Sequence, residues 1–462
     1  MKSRNTNMGG VKKALPFAFA LFTACAVHAV NVDFDNTIRR MKPEHGIGQP
    51  PMLGVNVKKM FHYLTDAGIP YSRLHDVGGW HGRNMFVDIP NVFRDFDADE
   101  NDPASYDFAF TDVLMKGLVD SGVEPYYRLG VTIENFYAIK RLRSFPPKDF
   151  EKWARICEHV IRHYTEGWAN GFRYKVTYWE IWNEPDGENG TSPIWSGTFE
   201  EYCRLYEIAS KHLKACFPRL KIGGFGSSGL FKLVQETPRP HDHYTKKCVD
   251  DFFAYVKAHD CPLDFFSVHA YDMPGAPLLP QAMQTYGKYC RDELDKIGYK
   301  DTEISMNEWL PRWTDPGSAR QAAVCASLLI ALQDSAFDNA MIYDGRVGIG
   351  SYSPLFSPET MKPRLAYWAM FNFNELYRLG NQVSIDGLPN DVYAIAATDG
   401  KGIGKMFVAN IGTDTAPFEV KAPPQWRVLS ANLTDKDHVN TGVAIPKSLP
   451  ADSFCVITFV KE

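Results

Sequence analysis

Charge of one sign is scarce in this chain. Its 462 residues carry 50 Lys and Arg against 55 Asp and Glu, a formal net charge of −5, with no long basic run. A nucleic-acid partner is therefore not expected, because phosphate recognition leaves a basic footprint. Long apolar runs are also missing beyond the first thirty residues. No later stretch reaches the ~18 consecutive apolar residues of a membrane-spanning helix, so membrane insertion is not expected. There is no internal repeat, low-complexity tract or flexible linker. No two cysteines stand at metal-ligand spacing, so the sequence offers no metal site. What remains is an ordinary globular composition, 45% apolar and 23% charged, long enough for a large domain and a smaller one.

The first thirty residues differ from the rest. Lys2, Arg4, Lys12 and Lys13 precede an apolar run over residues 14–27, which closes on the small-residue sequence Val27-His28-Ala29. This pattern predicts a signal peptide over residues 1–29, cleaved after Ala29, and hence a periplasmic or extracellular protein. A competing reading takes Phe22-Thr23-Ala24-Cys25 as a degenerate lipoprotein box with Cys25 lipidated. Removing the leader leaves eight cysteines, at 157, 203, 216, 248, 261, 290, 325 and 455. Buried free thiols are expected where they fall on apolar helix faces or strands, as at Cys157, Cys325 and Cys455. Export also permits disulfides, which sequence cannot assign.

Over residues 30–380, short apolar strands alternate with amphipathic helices. Strands read at 71–76, 124–130, 177–183, 221–226, 265–271, 303–309 and 340–346, with a weaker first strand near 46–49. After Pro146-Pro147, the residues Phe150, Trp153, Ile156, Cys157, Val160, Ile161 and Tyr164 recur at helical spacing and leave Lys152, Arg155, Glu158 and Arg162 for solvent. Eight parallel strands with helices between them predict an α/β fold, a closed (β/α)8 TIM barrel. Beyond residue 380 the pattern turns to short β-prone runs at 392–397, 404–411, 418–421, 427–433 and 454–460. This reads as a smaller C-terminal β-sandwich over residues 381–462.

Active sites of such barrels lie at the C-terminal ends of the strands. Two glutamates occupy such ends: Glu184 in Trp179-Glu180-Ile181-Trp182-Asn183-Glu184-Pro185 closes the fourth strand, and Glu308 in Met306-Asn307-Glu308-Trp309 closes the seventh. Strands four and seven lie nearly opposite each other, so the two carboxylates can converge on one bond. A retaining glycosidase needs one carboxyl protonated and one ionised, about 5 to 5.5 Å apart. An isolated Asn-Glu-Pro is more often a turn or helix start, and the second carboxylate is what raises the catalytic reading. Glu180, inside its strand, is expected to neutralise Arg73 from the second strand. Glu303, at a strand start, is expected to be structural. Glu134, past the third strand, is the other carboxylate within reach of the cleft.

The run Pro146-Pro147-Lys148-Asp149-Phe150-Glu151-Lys152-Trp153, followed by the Glu184 segment, resembles glycoside hydrolase family 39, the β-xylosidase and α-L-iduronidase family. The resemblance continues through Phe265-Phe266-Ser267-Val268-His269-Ala270-Tyr271 and Lys362-Pro363, and covers most of residues 71–379. It implies a retaining mechanism with Glu184 as acid/base and Glu308 as nucleophile, and needs no metal or organic cofactor. It also implies that Asn183 bonds the sugar 2-hydroxyl, that His269 and Tyr271 sit by the nucleophile, and that His75 binds sugar hydroxyls. His75, His269 and Tyr271 could each instead be a satisfied core group.

The sequence departs from the clan where many members place a tryptophan on strand eight. Here that position reads Tyr343-Asp344-Gly345-Arg346, and Tyr343 is the candidate aromatic platform. Arg128 or Arg346 could recognise a uronide carboxylate, or form a buried ion pair with Asp344. The expected function is thus a retaining, exo-acting glycosidase on a carbohydrate substrate, β-xylosidase-like by family default. Two alternatives stand beside it: an endo-acting exopolysaccharide hydrolase, and a carbohydrate-binding protein without turnover. Oligomeric state is not readable. For the leader, N-terminal sequencing of secreted protein is expected to begin at Val30; a mature protein starting at Met1 would contradict cleavage.

Overall fold

The computed structural model describes residues 28–53, 56–77, 87–132, 144–187, 192, 194–234, 240–272 and 277–462. The apolar part of the predicted leader, Cys25 and Glu134 lie outside the described residues. After an N-terminal strand β1 (His28–Arg40), eight parallel strands form the barrel: β2 (Gly46–Ile47), β3 (Tyr71–Leu74), β4 (Glu124–Leu129), β5 (Tyr178–Ile181), β6 (Lys221–Ser227), β7 (Phe265–Tyr271), β8 (Glu303–Leu310) and β9 (Asn339–Ile342). It closes because β2 pairs with both β3 and β9, giving a TIM barrel.

Local signals set the helices. The helix Phe150–Thr165 starts where the Asp149 side chain accepts from Lys152 N, and it turns Trp153, Ile156, Cys157, Val160, Ile161 and Tyr164 into the core. The helix Phe199–Cys216 begins with a reciprocal capping box between Thr198 and Glu201. The helix Ala319–Gln333 is apolar nearly all round because it packs on the barrel side and also against the C-terminal sheet. At the start of the strands, Tyr126, Tyr178, Phe265 and Met341 close the barrel floor. Tyr178 Oη donates to Glu303 at 2.7 Å, and Lys221 pairs with the same carboxylate, so Glu303 is structural.

A short hairpin, β10 (Phe356–Ser357) with β11 (Lys362–Pro363), precedes the last barrel helix, Leu365–Tyr377. The strands that follow are β12 (Asn381–Asp386), β13 (Val392–Thr398), β14 (Ile403–Asn410), β15 (Ala416–Lys421), β16 (Trp426–Thr434), β17 (Thr441–Val443), β18 (Ser448–Leu449) and β19 (Ser453–Lys461). They form one sheet in the order β17-β16-β19-β14-β13-β12-β1-β15-β18. The sheet curls over its own core as a sandwich does. Phe34 of β1 meets the rings of Trp426 on β16 and Phe459 on β19 at 4.4 and 5.0 Å, although those strands are far from β1 in the order. Gly404 permits this closure, since a Cβ there would stand 2.4 Å from the Phe34 ring.

This arrangement corrects the sequence-based assignment of residues 30–40 to the barrel. Their strand runs antiparallel to β12 and parallel to β15, with Val30, Val32 and Phe34 alternating inward. Cleavage after Ala29 would remove the His28↔Phe418 and Ala29↔Glu419 pairs and leave the rest of the strand. The two parts of the molecule are also tied by Arg320, which bonds Asp452 at 2.8 Å, reaches the Ile411 carbonyl, and lies over the Trp313 ring at 5.2 Å. All eight described cysteines are free, and only Cys216 is not fully buried. Among the described residues, no helix is long and apolar enough to cross a membrane.

Because Phe34 anchors a strand drawn from the far end of the chain, Phe34→Ala is expected to destabilise the protein by about 3–5 kcal/mol. Thermal denaturation followed by circular dichroism would read this as a clear fall in Tm. An unchanged Tm would show that β1 contributes little to the sheet.

Candidate active site

The fourth and seventh barrel strands, β5 and β8, end in Glu184 and Glu308, and the structure brings them together. One carboxylate oxygen of each, with a ring nitrogen of His269, all lie within 4.8 Å of one another. The route to this geometry passes through unusual backbone. Trp182 and Glu184 both have positive φ, at 70° and 43°, which side chains of these types rarely adopt. The surroundings hold them there. Trp182 N donates to Leu129 O at 2.7 Å, its indole donates to Ile194 O, and Glu184 N donates to Gly226 O at 3.1 Å. Gly226, itself at φ 64°, lets Asn183 and His269 approach, since a Cβ would stand 3.1 Å from both side chains.

Glu308 is nearly buried and held at both oxygens. Arg73 Nη1 donates to Oε1 at 2.6 Å, and Tyr271 Oη donates to Oε2 at 2.6 Å. Burial raises its pKa above the ordinary glutamate value and the neighbouring Glu184 adds to this, while Arg73 and Tyr271 pull it down. Glu184 is about a fifth exposed at its side chain. Its Oε1 lies 2.7 Å from His269 Nδ1, and burial raises its pKa too, with Lys232 and Arg73 opposing. His269 is fully buried and its pKa is lowered, chiefly by burial, with the Glu308 charge opposing, so the ring is neutral at neutral pH.

Arg73 ties the site to the barrel. Besides Glu308, its guanidinium donates to Glu180 Oε2 and to Asn183 Oδ1. Ser267 and Asn307 satisfy Glu180 Oε1, at 2.6 and 2.7 Å. The Arg73–Glu180 pair expected from sequence is present, and Glu180 and Trp182 are both buried. Asn183 keeps its Nδ2 without a partner. His75 is buried with Nε2 3.3 Å from Asp76 and 4.0 Å from Glu308; burial first, then the nearby arginines, lower its pKa, so it too is neutral.

The aromatic wall is made of tyrosines. Tyr271, Tyr343 and Tyr352 meet edge to face, with centroids 5.6 to 6.3 Å apart. Tyr343 Oη donates to Asp76 and accepts from Arg346 Nη2. Arg312 lies 5.2 Å over both Tyr271 and Tyr352. Neither Tyr352 nor Arg312 was legible as a site residue, because both stand in irregular segments without a motif.

The candidate arginines resolve differently from one another. Arg346 forms the ion pair with Asp344, at 2.7 Å, and Gln49 completes that carboxylate's bonds. Arg128 does not pair with Asp344. It is fully enclosed, with Nη2 donating to Asp88 and Thr132, while Asp88 also accepts from Thr132 N. That buried pair fixes the segment after β4, while Arg128 Nε and Nη1 have no hydrogen-bond partner among the described residues.

A closed eight-stranded barrel with two strand-end glutamates of unlike surroundings, one wedged between cation and phenol and the other against a neutral imidazole, defines a glycoside hydrolase. A sequence model of glycosyl hydrolases family 39 matches residues 56–392, more than half of the chain, and the protein belongs to that family. A curated relative, the beta-xylosidase of Caldicellulosiruptor saccharolyticus, is 27% identical over 220 residues, 46% of this chain and 39% of the relative. The beta-xylosidase of Geobacillus stearothermophilus is 24% identical over 197 residues, 41% of this chain and 35% of that protein. The chain thus spans well under half the length of the curated relatives it matches. In fold it is similar to a glucosidase from Croceicoccus marinus, with a TM-score of 0.77 at 19% identity over 95% of this chain and 100% of that one.

Tyr271→Phe removes one hydrogen bond to the Glu308 carboxylate, a contact worth about 1.5–3 kcal/mol when the acceptor is charged. Turnover of an activated glycoside is expected to fall about 10- to 100-fold. That bond lowers the Glu308 pKa, so its loss raises it, and the acidic limb of the pH–rate profile should move to higher pH. A profile that does not move would sever Tyr271 from Glu308.

Proposed function

We propose that this protein is an exported, retaining glycosidase that removes a terminal neutral sugar, with β-xylosides as the first substrates to try. The observation that carries the reading is the approach of Glu184 and Glu308 to within 4.8 Å. Retaining pairs stand about 5–5.5 Å apart, while inverting pairs need about 6.5–9.5 Å to admit a water. In the first step Glu308 attacks the anomeric carbon while Glu184 protonates the departing oxygen. In the second, Glu184 takes a proton from water, which displaces Glu308 from the sugar.

The surroundings of each carboxylate fit its part. Arg73 and Tyr271 compensate the buried charge of Glu308 and aim its oxygens. Burial raises the Glu184 pKa and so favours its protonated form before attack. Once Glu308 is esterified its negative charge is gone, and the same group can serve as the base. Asn183 Nδ2, free of protein partners, supports contact with the sugar 2-hydroxyl. Arg73 and Arg346 are committed to protein carboxylates, which favours a neutral sugar, whereas Arg128 Nε and Nη1 and Arg312 Nε have no hydrogen-bond partner among the described residues. Two curated relatives are beta-xylosidases, which supports the choice of first substrate. Export rests on the leader sequence.

The two glutamates are separated by their mutants. Glu308→Ala should abolish retaining hydrolysis of every glycoside. Glu184→Ala should still be glycosylated by dinitrophenyl glycosides, which need no proton on departure, and then stall. Azide should restore its turnover and give a glycosyl azide of retained configuration, read by NMR. Azide rescue of Glu308→Ala with inverted product, together with a Glu184→Ala variant indifferent to the leaving group, would keep Glu308 and remove Glu184 from its role.

A further inference from the structure

Away from the catalytic pair, the helices Phe150–Thr165 and Phe199–Cys216 lie side by side and bring together three side chains that commonly bind metals. His212 and Cys216 are four residues apart on one helix and therefore share a face. Glu158 meets them from the other helix. Glu158 Oε2 lies 2.6 Å from His212 Nε2, Cys216 Sγ lies 3.9 Å from the same nitrogen, and one ligand atom from each residue falls within 4.8 Å of the others. Both cysteine and histidine stand in or near the last turn of their helix, which places the cluster toward the floor of the barrel, at the end remote from Glu184 and Glu308.

We propose that Glu158, His212 and Cys216 form a site for a zinc-like divalent cation that bridges the two helices. A carboxylate oxygen, an imidazole nitrogen and a thiolate sulfur are a zinc donor set, with water as the fourth ligand. The geometry needs only small movements. Tetrahedral coordination places nitrogen and oxygen ligands about 3.4 Å apart and nitrogen and sulfur about 3.6 Å apart, so the 2.6 Å His212–Glu158 hydrogen bond must open by about 0.8 Å and Cys216 must approach by about 0.3 Å. Glu158 is already oriented: Arg162 Nε donates to Oε1 at 2.7 Å, which leaves Oε2 facing the imidazole. An outer partner of this kind fixes a ligating carboxylate in metal sites. All three ligands are partly exposed, which provides an entry path.

Cys216 is the second observation. It is the one described cysteine that is not buried, and it stands beside a histidine at ligand spacing. Binding balances as a proton exchange: the Cys216 thiol releases its proton to solvent as the sulfur–metal bond forms, and His212 binds in its neutral form. The competing arrangement is a plain His212–Glu158 ion pair with the thiol as bystander.

Co2+ titrated into the metal-free full-length protein distinguishes them. The site predicts a thiolate-to-cobalt charge-transfer band at one equivalent that is absent in Cys216→Ser and is displaced by one equivalent of Zn2+. Zn2+ should also raise Tm by mass action, and His212→Ala should weaken Zn2+ binding by at least about 10-fold, since even loss of an outer partner costs 10- to 100-fold. Glycosidase activity of Cys216→Ser should match the parent. No charge-transfer band would overturn the site. So would a Zn2+-induced rise in Tm that survives in Cys216→Ser, because it would place the ion elsewhere, for example at Glu184, His269 and Glu308, where it would inhibit. These readouts do not depend on which sugar the enzyme cleaves.

Discussion

One buried cation organises the catalytic end of the barrel. Arg73 has no solvent around it, and its guanidinium is shared among Glu180, Asn183 and Glu308. An unpaired charge in such a place would cost several kcal/mol, and a pair broken on one side typically costs about 3–5 kcal/mol. The arrangement therefore constrains three strands at once, β3, β5 and β8, and fixes the distance across the barrel at which Glu308 stands. It also opposes the rise that burial imposes on the Glu308 pKa. Ser267 and Asn307 are the next ring of the same network, since without them Glu180 would leave an oxygen unpaired.

The backbone around Glu184 shows the complementary constraint. Two left-handed residues that are neither glycine nor asparagine, in one strand end, cost free energy that the barrel must absorb elsewhere. The return is aim: the chain turns sharply enough to place Asn183, Glu184 and the buried Trp182 on three different sides of one peptide run. Strain of this sort gathers at sites where geometry matters more than stability.

Much of this was legible in the sequence because it is local. Each barrel strand is a short apolar run with turn residues after it, and position within the run decides whether Glu180, Glu184, Glu303 or Glu308 lies in the interior, at the catalytic end or at the floor. The Arg73–Glu180 pair followed from the same register argument. What could not be read was decided by pairing over long separations. Nothing in residues 28–40 says that their partners are near 384 and 419. Arg128 offered charge without naming Asp88 as its partner. Tyr352 and Arg312 reach the site from segments with no periodicity. The sequence marks Glu158 only as a solvent-facing helix residue, and nothing in it brings that carboxylate to His212 and Cys216 on another helix.

The place of β1 in the second sheet has a consequence for the order in which the molecule can be completed. A strand made before the barrel waits for neighbours made after it, β12 on one side and β15 on the other. The whole barrel is synthesised between those two moments. Until the final strands arrive, Val30, Val32 and Phe34 have no core to enter, and the barrel must hold its form without the sheet that later covers the helix Ala319–Gln333. The second sheet thus acts as a clasp that joins a strand preceding the barrel to strands that follow it.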